Sequence, residues 1–218
     1  MWNKTSVKTG VVAVYVATLT LPFYVFFSNR SGFEFLTGLS GIDTLKVIFP
    51  ILGLYAFTFV SLQLLLTINL PWLKKYWPEL VTWHRFQGWF AVLFAILHPL
   101  TILIGYGIAG YLDHLYVADA KKYFVLPAYA GLTILMSTVL ISLLAWQGMK
   151  LPNWRILKWL NYIVFGLVFV HSWFIGTDTP GSLLRALWLT YLAAVIVSTI
   201  VRYWPALSKP RVSTDIRA

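Results

Sequence analysis

His84 and His98 stand fourteen residues apart in the stretch HRFQGWFAVLFAILHP, and almost everything between them is apolar. On an α-helix fourteen residues complete nearly four turns, so the two imidazoles share a face, about 21 Å apart along the axis. A third histidine, His171, lies in a later apolar run. It follows Lys158 by thirteen residues, as His98 follows Arg85 by thirteen. If Arg85 and Lys158 mark the same membrane interface on two parallel helices, His98 and His171 lie at one depth, about 20 Å in by helical rise. Ionisable side chains inside a membrane span are costly and point to function. Two imidazoles at matched depth on neighbouring helices are a donor set for the two axial positions of one heme iron.

The helix face that carries these histidines continues as Gly88, Ala91, Ala95, Ile102 and Gly105. Small side chains there leave room for a flat ring system, or for close approach of another helix. Pro99 follows His98 and has no N–H, so the Ala95 carbonyl loses its helical partner; a bend is expected there, re-aiming the imidazole. A lone intramembrane histidine also reads as a hydrogen-bonding residue between helices. His84, beside Arg85, reads as an interfacial polar residue as readily as a ligand, and His114 in YLDHLYVADAKK reads as a loop residue.

The elements that hold these residues follow from composition. The chain is 59% hydrophobic and only 11% charged, against about 25% charged in a soluble domain. Its apolar runs reach the roughly 20 residues that span a bilayer as helix. Six spans are expected, about 10–27, 47–70, 86–109, 124–146, 159–176 and 183–201, separated by breakers such as PWLKKYWPE and GTDTPGS. The fold class is all-α, a polytopic six-helix membrane bundle forming one domain over residues 1–218. The first run, with no small-x-small cleavage site after it, reads as an uncleaved span. Twelve of the 17 basic residues fall on one side of this arrangement and five on the other. The richer side is cytoplasmic by the positive-inside rule, with both termini on it. The basic residues sit in short loops between spans, so the net charge of +10 reflects topology and not nucleic-acid binding. Integral insertion in a bacterial inner membrane is the expected location.

Other chemistry is narrowed by what is missing. There is no cysteine, which excludes disulfides, thiolate-bound metal, iron–sulfur clusters and thiol catalysis. No nucleophile–base constellation or paired carboxylate stands out. GYGIAG matches a dinucleotide fingerprint at Gly105, Gly107 and Gly110, but it ends a membrane helix with no strand before it, so it carries no cofactor assignment. The tail after the sixth span, RYWPALSKPRVSTDIRA, is too short for a nucleotide-binding domain. Electrons therefore have to come from a separate reductase or another soluble redox partner.

WHRFQGWFAVLFAILHPL and NWRILKWLNYIVFGLVFVHSW resemble the third-span and fifth-span patterns of the ferric reductase-like transmembrane domain family. The resemblance runs from the second span through the sixth. It implies six helices around b-type heme stacked across the membrane, with the outer heme held by His98 and His171. The inner heme of that pattern would use His84, but Lys158 stands where the fifth span has its other histidine. The resemblance thus implies one bis-histidine heme b and puts a second heme in doubt. FMN, FAD or a quinone can take the inner station, with His84, Arg85, Lys150, Arg155 and Lys158 for its phosphate or carbonyl groups. Lys121, Lys122 and Arg185 are candidates for the heme propionates. The function implied is electron transfer from a cytoplasmic or quinol donor to an extracytoplasmic acceptor, with a flavoprotein reductase as partner. A self-sufficient metal reductase using a diffusible flavin is the alternative, and a non-redox transporter is the alternative from another class. Ferric iron, oxygen, a quinone and a periplasmic repair enzyme all stay open as acceptors.

Overall fold

A computed structural model describes residues 3–30, 32–116, 122–147 and 154–207, and its regular structure is helical throughout. The helices are α1 (Lys4–Ser28), α2 (Gly41–Leu73), α3 (Leu80–Tyr116), α4 (Lys122–Trp146), α5 (Trp154–Ile175) and α6 (Leu183–Leu207), with a short 3-10 turn at Glu34–Leu36. Several run past the apolar limits read from sequence, because polar residues cap and extend them. The Asn3 side chain accepts from the Thr5 N–H at 3.1 Å to start α1, and Ser40 accepts from the Asp43 N–H at 3.1 Å to start α2. Such caps satisfy donors that a helix end otherwise leaves unpaired.

Among the described residues five helices are long and apolar enough to cross a membrane, and α5 contributes a shorter apolar segment, Trp159–Ile175. Large apolar side chains face outward, among them Ile108, Leu126 and Val201, each at least 65% exposed. A surface of that kind, combined with these helices, is that of an integral membrane protein.

The helix α2 is the axis of the bundle. It packs against α1, α3, α5 and α6, while α1, α6, α5, α4 and α3 follow one another around it. Its residues Leu54, Phe57 and Leu64 are buried with Phe26 of α1, Phe165 of α5 and Trp188 of α6. The Trp188 indole N–H donates to the Ser172 hydroxyl at 2.6 Å, tying α6 to α5 in the interior. By contrast α3 and α5 do not pack along one another. The space between them is bounded by α2 and α4.

Pro71 sits in the last turns of α2. Lacking an N–H, it leaves the Thr67 carbonyl without a helical donor. The Arg202 guanidinium on α6 supplies one, donating to the Thr67 and Ile68 carbonyls at 2.9 and 2.7 Å. Hydrogen bonds from a charged donor contribute about 2 kcal/mol each to stability. Both bonds come from one guanidinium nitrogen, so Arg202→Met is expected to lower stability by about 2–4 kcal/mol in detergent unfolding. The same change in a Pro71→Ala background should cost less, because α2 then supplies its own N–H; a double-mutant cycle measures the difference.

Candidate functional site

The four helices α2 to α5 enclose two cavities. The first, of about 330 Å³, is lined by His98 of α3 and His171 of α5 among mostly apolar residues. The second, of about 710 Å³, is lined by Gln63, Thr67, His84, Arg85, Ser142 and Asn161. Both volumes fall in the range of ordinary ligand sites. Of the α3 face, Ala95, His98 and Ile102 line the first cavity, while His84, Gly88 and Ala91 line the second. Gly105, the next position, lies instead against Lys46 and the Ile42 carbonyl of α2.

Among the described residues Val60, on α2, and Leu135, on α4, are the two that belong to the walls of both cavities. They lie in one apolar cluster with Phe59, Ala91 and Val164. The two cavities are thus stacked along the bundle with a hydrocarbon septum between them. The buried Gln87 side chain donates to the Phe59 carbonyl at 3.0 Å beside it.

In the first cavity the centroids of the His98 and His171 rings are 6.5 Å apart, with planes at 70°. Each ring is held from behind in the same way. His98 Nδ1 lies 2.8 Å from the Phe49 carbonyl of α2, and His171 Nδ1 lies 3.1 Å from the Phe124 carbonyl of α4. A carbonyl oxygen only accepts, so each Nδ1 carries the proton and donates it. That fixes the tautomer and leaves each Nε2 with a lone pair for a metal or a donor. Gly53 makes the His98 position accessible: a Cβ there would lie 2.8 Å from His98 Cε1. The imidazole rests on bare α2 backbone.

Pro99 does not interrupt α3. The helix keeps helical dihedral angles there and breaks instead at Gly107, with φ 67° and ψ 179°. That combination belongs almost only to glycine. The second glycine of GYGIAG therefore has a backbone task. Beyond the break Tyr111 lines the first cavity, hydrogen-bonded to Tyr129 of α4.

His84 in the second cavity is placed differently. Its Nε2 lies 3.3 Å from the Gln63 amide nitrogen and 3.5 Å from the Thr67 hydroxyl. Arg85 is part of the same wall. His84 is the single imidazole lining this cavity among the described residues, and α5 contributes Asn161 and Val164. Lys158 is on α5, but its side chain lies outside the described residues, as do those of Arg155, Lys122 and His114. Lys121 and Lys150 lie outside them altogether. Arg185 does not reach either cavity; its guanidinium stacks on Trp173, 4.3 Å from the ring centroid.

Sequence reading passed over Gly53, Gln63, Tyr111, Tyr129, Asn161 and Asp178. Gln63 and Asn161 had a signal, since each is an isolated amide in an apolar run, SLQLLL and WLNYIV. The tyrosines had none, because tyrosine is common throughout the chain.

Comparison with protein families matches residues 52–174, more than half of the chain, to the ferric reductase like transmembrane component. The matched segment covers nearly all of the walls of both cavities. No curated protein and no solved structure matches the chain. The chain thus belongs to the ferric reductase like transmembrane component family.

Proposed function

We propose that this chain is a heme b protein that carries electrons across the bilayer. The donor is a cytoplasmic reductant or a quinol, the acceptor is extracytoplasmic, and a separate flavoprotein reductase is the partner. In this reading α5 crosses the membrane with the other five helices, both termini are cytoplasmic, and the membrane is a bacterial inner membrane. The 22 residues of α5 rise about 33 Å, enough for the hydrocarbon core.

The His98–His171 pair carries the reading. A metal–imidazole bond is about 2 Å long, so two imidazoles flanking one ion through Nε2 have centroids roughly 6 Å apart. The 6.5 Å separation fits that requirement with little movement. The donor chemistry fits as well: two neutral imidazoles with Nδ1 committed to backbone carbonyls. The remaining walls are largely apolar, as a porphyrin face needs. Heme b, which His98 and His171 would hold, would supply a one-electron couple suited to electron transfer.

The protein's own groups do the rest. The Phe49 and Phe124 carbonyls hold the imidazoles in one tautomer, and the apolar walls exclude water. The septum around Val60 and Leu135 keeps the two cavities separate. In the second cavity Gln63, Thr67, His84 and Asn161 offer hydrogen bonds to a ring carbonyl, and Arg85 offers a cation for a phosphate. That set suits a flavin or quinone better than a second bis-histidine heme.

Protein made with ample heme and purified in detergent is expected to show the sharp α band of six-coordinate heme b after dithionite. Reduction by a pyridine nucleotide should require an added flavoprotein reductase. Heme-free protein under these conditions would end the proposal.

A further inference from the structure

The first cavity has a polar rim. Besides the histidines, its polar side chains are Tyr111, Tyr129, Ser172, Thr177 and Asp178. Three of these are committed elsewhere. Ser172 accepts from Trp188 at 2.6 Å. The Asp178 carboxylate accepts from Arg30 at 2.6 and 3.1 Å and from Asn29 at 3.4 Å, which neutralises it. The Thr177 hydroxyl donates to the same carboxylate at 3.4 Å.

The tyrosines differ. Their hydroxyls are hydrogen-bonded to each other across the gap between α3 and α4. In such a pair one phenol donates to the other, and the acceptor still has its own O–H to donate. The break at Gly107 precedes the segment that brings Tyr111 there. The cavity thus offers apolar walls, two imidazoles, and a spare phenol donor at a neutralised rim.

A ligand that suits this is an apolar macrocycle with carboxylates on one edge. We propose that Tyr111 and Tyr129 form a carboxylate-binding site of this cavity, donating the spare O–H to a propionate of the porphyrin held by His98 and His171. This rests on the porphyrin reading of the histidine pair. A phenol-to-carboxylate hydrogen bond is charge-assisted and about twice as strong as a neutral one. Esterified propionates cannot receive it in that form.

The test titrates heme-free protein in detergent with hemin and with hemin dimethyl ester, following the Soret band. The unmodified protein is expected to prefer the diacid by about tenfold. The Tyr111→Phe, Tyr129→Phe variant should lose that preference while binding the diester as before. Equal affinity for the two ligands in the unmodified protein overturns the proposal without any variant having to fold. An undiminished preference in the double variant also overturns it. Failure to bind either ligand removes the porphyrin reading itself, and the two failures are therefore distinguishable.

Discussion

His98→Ala and His171→Ala are each expected to abolish the reduced α band, and His84→Ala to keep most of it. Each of the first two removes one of the two imidazoles that line the first cavity among the described residues. The vacated space is largely apolar, and among the described residues no other imidazole, thiol or thioether lines that cavity to replace the lost ligand. Loss of a hydrogen-bond partner behind a metal ligand already costs about 10–100-fold in affinity, so loss of the imidazole itself should cost at least about a hundredfold by that comparison. His84 lines the other cavity, beyond the septum, where it meets Gln63 and Thr67. Its removal should leave the heme-to-protein ratio nearly unchanged and instead weaken reduction by a flavin or quinol. The pyridine hemochrome assay and the reduced-minus-oxidised spectrum measure both outcomes. A result in which only His84→Ala lost heme would mean that the pair 6.5 Å apart is not the ligand set.

The matched depth of His98 and His171 was legible because helical rise is constant and each follows a basic residue by thirteen positions. The same periodicity identified the α3 face that lines both cavities. What the pattern could not supply was the support behind the rings. The acceptors for Nδ1 are backbone carbonyls of Phe49 and Phe124, and any residue type has a carbonyl. Pro99 marked the place for a bend, while the non-helical dihedral angles inside α3 fall at Gly107. Proline disturbs a helix locally while φ stays in the helical range, whereas the Gly107 conformation is closed to other residues. Helix ends were also underestimated. Hydropathy sees only the apolar stretch, while Asn3 and Ser40 caps carry α1 and α2 beyond it.

Gly53→Ala should separate ligand holding from helix stability, because the two respond by different amounts. In a helix interior alanine is favoured over glycine by about 1 kcal/mol, which offsets part of the cost of moving the His98 ring, so the heme-free protein should lose little stability. The added Cβ, however, would lie 2.8 Å from His98 Cε1, 3.0 Å from Nδ1 and 3.2 Å from Nε2. The ring cannot stay where it is. It also cannot move off freely, because its Nδ1 is bonded at 2.8 Å to the Phe49 carbonyl one turn earlier on α2. Displacement stretches or breaks that bond, and the tautomer is then no longer fixed. Loss of a comparable outer-sphere partner lowers metal affinity by about 10–100-fold. Heme retention should therefore fall by at least about tenfold in Gly53→Ala, and further in Gly53→Val, whose extra methyls meet the same ring. Thermal unfolding of the heme-free protein and heme titration of the same sample measure the two effects independently. A loss of stability as large as the loss of binding would mean that Gly53 serves only helix packing. Unchanged heme affinity in Gly53→Val would show that the His98 imidazole does not depend on the bare backbone of α2.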